Sequence, residues 1–301
     1  MQITVTLVAD RDTTSLTSDH IDAARDAAAQ AGGVPSTEIR TLSANWAAEF
    51  VVDGAKTDAV AAALDNLDIL SGIDRAVQHS GGRRKKVLVA DMDSTMIRIE
   101  TLDTLAAELG IGDKVAEITA RSMDGELDFV ESLRARVALL KGYPAREAMT
   151  VVMEKVVHTA GAERAVKTMA AHGAHCALVS GGFTFTTSVV HAELGFQEHA
   201  ANTLEIAPDG TFTGALTGRI VGRPTKLEIL TALCEKQGVG LDGGAAIGDG
   251  ANDLDMLLAA GLGIGFHPKP IVRAQARFRI EHADMTALAF YQGYGEEDFA
   301  V

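Results

Sequence analysis

Short runs of consecutive apolar residues alternate with longer stretches of helical periodicity over most of this chain. The runs stand at residues 87–90, 176–179 and 245–248, and each is followed at once by polar residues. A short, continuous apolar run is typical of a strand that is buried on both faces of a parallel sheet. Between the runs, apolar residues recur every three or four positions, which is the spacing of an amphipathic helix. The alternation predicts an α/β fold with a doubly wound, Rossmann-like parallel sheet.

The first 80 residues show a different pattern and predict a separate small domain. Residues 2–9 alternate between polar and apolar side chains, as a half-buried strand does. A helix, two strands, a helix and a last strand are predicted after it, at residues 20–31, 38–42, 47–52, 56–70 and 74–79. The order βαββαβ predicts a ferredoxin-like α+β domain over residues 1–80. This order resembles that of ACT-type domains, which often bind amino acids; a domain that only forms a homodimer is the alternative.

An all-helical insert is predicted inside the second domain, which covers residues 85–301 and follows a linker of Ser-Gly-Gly and four cations. Four helices are predicted in it, at residues 101–109, 113–121, 128–140 and 145–157. They form a helical cap at about residues 98–160, between the first strand and the second. The other helices predicted in this domain are one that ends at residue 172 and three at residues 183–194, 226–236 and 251–260. A hairpin is predicted at residues 203–220 and short strands at 263–266 and 278–280.

The charge and cysteine content exclude several classes of protein. With 27 basic and 41 acidic residues the net charge is -14, which argues against a nucleic-acid partner. The two cysteines show neither metal-ligand spacing nor a disulfide framework, which favours a reducing compartment. The N-terminal sequence lacks the features of a signal peptide, and no apolar run reaches the length of a membrane span. We therefore expect a cytoplasmic protein without a membrane partner.

Two carboxylates follow the first buried strand directly. Asp91 and Asp93 are separated by one residue, so strand-like alternation points both the same way. Ligands of open α/β sheets bind just beyond the carboxyl ends of such strands. Two converging carboxylates repel each other unless a cation holds them, and a hard ion such as Mg²⁺ prefers oxygen ligands. A solvated turn is the alternative for this tetrapeptide taken alone.

The other two buried strands also end in polar groups that would meet at the same sheet edge. Ser180, Gly181 and Gly182 precede a predicted helix, whose free amides favour a bound anion. Asp249 ends the third run, with Asn252 and Asp253 close behind it, and Lys226 begins a predicted helix. Each piece alone is common in loops and turns. Carboxylates for a metal together with amides, a hydroxyl and a lysine for an oxyanion predict a phosphoryl-transfer site.

The ordered set DMDST, LVSGG, Lys226 and GDGANDLDML resembles the four motifs of the haloacid-dehalogenase superfamily of phosphatases. The resemblance implies Asp91 as nucleophile and Asp93 as the acid and base. It further implies Mg²⁺ on Asp91, the Asp93 carbonyl and Asp249, with phosphate oxygens on Ser180, Gly181, Gly182 and Lys226. Asn252 and Asp253 would orient the phosphate and metal-bound waters. Asp255 stands where relatives often carry proline, a departure that affects no catalytic residue.

The cap sequence MDGELDFVESLRARVALLKG, with Glu100 before it, is similar to the cap signature of phosphoserine phosphatases within that superfamily. The resemblance implies hydrolysis of O-phospho-L-serine, the last step of serine biosynthesis. Glu100 then suits the substrate ammonium and Arg136 its carboxylate, while Met123 and Phe129 cover the site. The alternatives are a Glu100–Arg136 pair across helices and a purely structural role for the two apolar residues.

Two alternatives to this function arise from the sequence. An enzyme with the same core could act on another small phosphomonoester or transfer phosphate to a second alcohol. A regulatory protein with a vestigial phosphatase half is a different class, and the complete set of motif residues argues against it. Because no motif lies in residues 1–80, their removal is expected to leave the chemistry intact.

Overall fold

The structure is a computed structural model that describes residues 2–123 and 126–300. Within these ranges the chain forms a four-stranded sheet and a seven-stranded sheet. The last strand of the first sheet ends at His79, and the second sheet begins at Val87. No helix in the described ranges is long and apolar enough to cross a membrane.

The four-stranded sheet has the ferredoxin-like arrangement that the element order predicts. Its strands lie in the order β2-β3-β1-β4, and each neighbouring pair is antiparallel. The elements are β1 (Gln2–Ala9), α1 (Ser18–Gln30), β2 (Val34–Ser43), β3 (Ala47–Asp53), α2 (Thr57–Asp65) and β4 (Ile73–His79). The predicted helix over 56–70 is too long, because α2 ends at Asp65 and a 3₁₀ turn follows at Asp68–Leu70. Asn66 explains the end of α2, since its side chain bonds the Ala62 carbonyl and competes with the helical backbone.

The seven-stranded sheet confirms the doubly wound α/β prediction. Its strands are β5 (Val87–Ala90), β6 (His175–Phe183), β7 (Glu198–Ile206), β8 (Phe212–Thr217), β9 (Gly244–Gly248), β10 (Leu262–Phe266) and β11 (Phe278–Ile280). They lie in the order β11-β10-β9-β5-β6-β7-β8, and only the β7–β8 pair is antiparallel. The chain moves from β5 to β6 on one side and later returns to β9 on the other. The carboxyl end of β5 is therefore a switch point, where open α/β sheets bind ligands.

Both faces of β5 are buried, as its continuous apolar run predicts. Val87 and Val89 belong to one hydrophobic cluster, while Leu88 and Ala90 belong to another on the opposite face. All four residues have no solvent exposure. This packing fixes the position at which the chain leaves the sheet and enters the candidate site.

Four helices form the cap between β5 and β6, as predicted. They are α3 (Thr101–Glu108), α4 (Gly112–Met123), α5 (Phe129–Ala138) and α6 (Ala145–Glu154). Their buried apolar residues form a separate core that also takes in Phe212 of the β7–β8 hairpin. The hairpin is hydrogen-bonded to the turn between α5 and α6, for example from Gly142 N to Phe212 O at 2.9 Å. The core helices are α7 (Ala162–Ala171), α8 (Thr184–Leu194), α9 (Arg223–Lys236), α10 (Leu254–Ala259), α11 (Pro270–Arg273) and α12 (Ala287–Tyr291).

The two sheets share one continuous hydrophobic core. The cluster that covers one face of β5 extends through the C-terminal segment around α12 into the four-stranded sheet. Trp46 contacts Phe290 edge to face, with ring centroids 5.0 Å apart. β1 is consequently buried along Ile3–Ala9, whereas its alternating pattern predicts a half-buried strand. The polar residues of β1, Thr4 and Thr6, are buried as well, which the local sequence does not predict.

Candidate active site

The carboxyl ends of β5, β6 and β9 and one face of the cap line a half-open cavity of ≈ 140 Å³. Most of the residues predicted for the site line this cavity: Asp91, Asp93, Glu100, Phe129, Arg136, Ser180, Gly181, Gly182, Asp249 and Asn252. Lys226 and Asp253 lie directly behind its wall. The side chain of Met123, also predicted to cover the site, lies outside the described part of the structure.

A buried lysine connects two carboxylates under the floor of the cavity. Lys226 Nζ lies 2.7 Å from Asp91 Oδ1 and 2.6 Å from Asp253 Oδ1, and its side chain has no solvent exposure. Burial alone would lower the pKa of Lys226, but the charges of Asp253 and Asp91 raise it above its usual range. The ammonium is therefore a fixed positive charge beside Asp91. A charge in this place would neutralise an oxyanion that forms on or near that carboxylate.

The acidic residues of the site have the composition of a divalent-cation site. One oxygen each of Asp91, Asp249 and Asp253 lies within 4.8 Å of the others. Burial and the Asp91 charge raise the pKa of Asp249 to about 6, although Lys269 acts in the opposite direction. Carboxylates that repel each other in a buried site gain from a hard cation, and Mg²⁺ takes such oxygen ligands. Asp91 and Asp249 line the cavity, whereas Asp253 lies behind its wall with one oxygen bonded to Lys226 and the other to the Gly250 amide. Asp91 and Asp249 are therefore the carboxylates best suited to a metal; the Asp93 carbonyl as a third ligand stays a prediction.

Asp93 has the environment of a general acid. Burial, and then the charges of Glu100 and Asp91, raise the pKa of Asp93 to about 8. Two hydrogen bonds with Thr101 hold the carboxyl, at 2.6 Å to the hydroxyl and 3.2 Å to the amide. A raised pKa keeps the carboxyl protonated at neutral pH, which is the state that can give a proton to a leaving oxygen.

Ser180 and the two glycines after it form the wall beside Asp93. β6 continues through Phe183, so these residues end a strand and do not form the loop that their composition suggests. The Gly182 amide donates to Ser180 Oγ at 2.9 Å, and a Cβ on Gly182 would lie 2.9 Å from Asp93 Oδ2. Glycine is required here because only a bare backbone can approach the carboxyl this closely.

Two charged cap residues, Glu100 and Arg136, line the same cavity as Asp91. Glu100 Oε1 accepts from Ser94 Oγ at 2.8 Å and from Lys269 Nζ at 3.3 Å. Arg136 is partly buried and donates from Nε to the Ser132 carbonyl one turn earlier. In the described ranges, no carboxylate oxygen lies within the 4.0 Å of an ion pair with Arg136. The alternative of a Glu100–Arg136 pair across helices is therefore not what the structure shows.

Phe129 closes the side of the cavity next to the core. A Cβ on Gly181 would lie 3.2 Å from its ring, and a Cβ on Gly222 would lie 3.0 Å from it. The same ring lines an outer groove with Asp128, Val130 and Arg223. Phe129 thus lies between the cavity and this groove, and its role in covering the site stays a prediction.

Three residues that position this site are absent from the sequence prediction. Thr101 holds Asp93, and Lys269 lies 3.0 Å from Asp249 Oδ2. Asn202 bonds the Gly181 carbonyl and both backbone groups of Val221, so it joins the end of β6 to the loop under Phe129. Lys269 had a usable signal: it stands shortly after a fourth apolar run and directly before a proline, at the same sheet edge. Thr101 and Asn202 had none, because their contacts, with Asp93 for Thr101 and with Gly181 and Val221 for Asn202, follow no local sequence pattern.

Comparison with known proteins identifies relatives of the chain. Residues 88–258 match the family model described as haloacid dehalogenase-like hydrolase. A phosphoserine phosphatase of Streptomyces coelicolor is 42% identical over 254 residues, which cover 84% of this chain and 62% of that protein. The chain thus spans less than two thirds of that relative's length.

Two solved structures are similar to the fold. The unliganded form of a probable phosphoserine phosphatase from Vibrio cholerae has a TM-score of 0.76 at 30% identity, covering 99% of this chain and 88% of that one. A phospho-aspartyl intermediate analogue of a phosphoserine phosphatase has a TM-score of 0.63 at 38% identity, covering 69% of this chain and 99% of that one.

Proposed function

The chain belongs to the haloacid dehalogenase-like hydrolase family, and from this premise we propose that it is a Mg²⁺-dependent phosphatase of O-phospho-L-serine. The observation that carries the proposal is that one cavity is lined by Asp91 and by two cap residues of opposite charge, Glu100 and Arg136. A phosphorylated amino acid carries the three matching groups: a phosphate, an ammonium and a carboxylate. The names of the relatives in Streptomyces and Vibrio support the same substrate.

In the first step Asp91 attacks phosphorus through the carboxylate oxygen that is not held by Lys226. A bond forms between this oxygen and phosphorus as the bond from phosphorus to the serine oxygen breaks. Asp93 gives its proton to the departing oxygen, so that serine leaves as an alcohol. The product is an aspartyl-phosphate, and the phospho-aspartyl analogue of the similar structure supports this step.

In the second step water attacks the phosphorus of the aspartyl-phosphate, and Asp93, now ionised, accepts its proton. Inorganic phosphate leaves and Asp91 is regenerated. Ser180, the glycine amides and Lys226 would hold the phosphoryl oxygens in both steps. Asp91, Asp249 and the Asp93 carbonyl would hold Mg²⁺, which when bound neutralises charge on the transferring group.

The test combines substitution with detection of the covalent intermediate. Purified protein with Mg²⁺ and phosphoserine should release phosphate, and acid quenching should leave a phosphoryl group on the peptide that contains Asp91. Asp91→Asn should abolish both, since an amide is not a usable nucleophile. Asp255→Asn is the matched control, because Asp255 lies near the site but pairs with Arg223 outside the cavity. Chelation by EDTA should stop turnover, and added Mg²⁺ should restore it.

Full turnover by Asp91→Asn would remove the covalent mechanism. Undiminished turnover in metal-free buffer would remove the metal requirement. Phosphate release from simple esters without any from phosphoserine would keep the reaction class and reject the substrate.

A further inference from the structure

Lys269 lies between two carboxylates to which the proposed function gives separate tasks. Its Nζ is 3.0 Å from Asp249 Oδ2, a carboxylate suited to the metal, and 3.3 Å from Glu100 Oε1, which faces the substrate ammonium. The lysine lies on the wall of the same cavity. A single ammonium group therefore takes up part of the charge of both residues.

The backbone of Lys269 is fixed while its side chain is half exposed. Its amide donates to the Asp249 carbonyl at 2.9 Å, and the His267 amide before it donates to the Ile280 carbonyl at 2.8 Å. The Lys269 side chain is 55% exposed, whereas that of Lys226 has no exposure. A side chain on a fixed backbone with solvent on one side can leave its partners without disturbing the loop. Lys226 cannot do so.

Glu100 is also held from a second direction. Ser94 Oγ donates to the same oxygen that Lys269 contacts, and Ser94 has the left-handed backbone conformation, with φ of 56°. The carboxylate therefore stays in place when the lysine moves. Among the residues that the structure describes, no hydrogen bond or ion pair engages the second oxygen of Glu100, so this oxygen remains for another donor.

We propose that Lys269 is a built-in competitor for cations, which shares Asp249 with the metal ion and Glu100 with the substrate ammonium. It lowers the attraction of both carboxylates for incoming cations, and so it weakens the binding of Mg²⁺ and of the substrate ammonium. The part that concerns the ammonium rests on the proposed function; the part that concerns the metal does not.

The first test measures Mg²⁺ binding by calorimetry on the full chain without substrate. Lys269→Met keeps most of the apolar stem and removes the charge, and it should tighten Mg²⁺ binding about tenfold, because one partly solvated charge at this distance is worth about that factor. Lys269→Gln should behave similarly. Lys269→Arg should stay within about threefold of the original protein, since the charge is kept. Lys236→Met, in the last turn of α9, is the control for loss of an exposed lysine.

The second test compares kcat/KM for phosphoserine with that for 3-phosphonooxypropanoate, which keeps the phosphate and the carboxylate but lacks the ammonium. Lys269→Met should raise the preference for phosphoserine by about three- to tenfold, because Glu100 then has its full charge for the ammonium. Glu100→Gln should remove the preference in both backgrounds. Thermal unfolding of each metal-free variant checks that the loop is intact.

Unchanged or weaker Mg²⁺ binding by both Lys269→Met and Lys269→Gln, in folded protein, would overturn the proposal. Equal kcat/KM for the two esters in the original protein would instead reject the proposed substrate. The Mg²⁺ titration would then still decide the role of Lys269, so the two failures are distinguishable.

Discussion

At the scale of single residues, the site depends on buried charges that neutralise one another. Lys226 is the clearest case, since two carboxylates share its ammonium and its side chain has no solvent exposure. Such a pair has a large desolvation cost, so its net stabilisation is small while the loss of one partner is costly. The arrangement fixes the direction of Asp91 more than it adds to stability.

Lys226→Met should therefore destabilise the fold by about 3–5 kcal/mol, because Asp91 and Asp253 would remain buried without their cation. Urea unfolding of the metal-free protein measures this, with Lys236→Met on the same helix as control. Adding Asp253→Asn to Lys226→Met should recover part of the loss by removing one of the unpaired charges. A loss below about 1 kcal/mol, the size typical of a surface pair, would mean that water reaches these carboxylates.

The predictable part of the site consists of residues that directly follow buried strands. Asp91, Ser180 and Asp249 could be found because a four-residue apolar run marks each strand, and the residues next in the chain meet at one sheet edge. Asn202 could not be found this way, since it lies inside β7 and acts on a loop about twenty residues later in sequence. Its role depends on the register between β6 and β7, which no local pattern specifies.

At the scale of elements, α5 is the part of the cap that closes the site. Asp128 caps this helix by accepting from the Glu131 amide at 2.8 Å, and Phe129 follows as its first residue. The start of the helix is thereby fixed, and the ring is held against the glycine backbones at positions 181 and 222.

Phe129→Ala should lower kcat/KM for phosphoserine by about 10- to 100-fold, since the cavity would open to water and to the outer groove. The free energy of unfolding should change little, because the ring is only partly buried. Val130→Ala is the matched control, as Val130 is the next residue and is 38% exposed. Equal losses of activity in the two variants would assign Phe129 to the cap core alone.

The bounds of the helices and strands could be predicted more reliably than the contacts between them. The strand at 87–90 and the four cap helices are found within a few residues of their predicted bounds, because periodicity is a local property. The two-sided burial of β1 and the hydrogen bonds from the hairpin to the cap were not predicted. Both arise from packing between segments that are far apart in sequence.

At the scale of the whole molecule, the four-stranded sheet and the α/β core are joined by apolar and polar contacts. Asp74 on β4 accepts hydrogen bonds from three successive amides, those of residues 281–283, just after β11. Arg83 in the linker pairs with the buried Glu49 at 2.6 Å. Because of these contacts and the shared core around Trp46 and Phe290, we expect the two sheets to unfold together in one cooperative transition.

Trp46→Ala should accordingly lower the stability of the entire described chain, by about 3–5 kcal/mol for a large core side chain. Calorimetry should show a single unfolding transition that moves to lower temperature. Two transitions, of which only the lower one shifts, would show that residues 1–80 unfold independently. If two transitions are seen, removal of residues 1–80 should leave a folded protein, as the sequence alone suggests. If one transition is seen, the chain that remains after this removal should be unstable.

Recognition of an amino acid is the most specific property that we propose for this site, and Arg136 tests it most directly. Phosphoserine and phosphoethanolamine differ only in the carboxylate, so kcat/KM should be measured for both esters with Arg136→Ala and with Arg134→Ala, an exposed residue of the same helix. Arg136→Ala leaves the substrate carboxylate without its partner, at about 2–5 kcal/mol, which is roughly a 30- to several-thousand-fold loss on phosphoserine. Phosphoethanolamine should lose little in either variant. Equal losses on both esters, or no loss on phosphoserine, would contradict amino-acid recognition at this site.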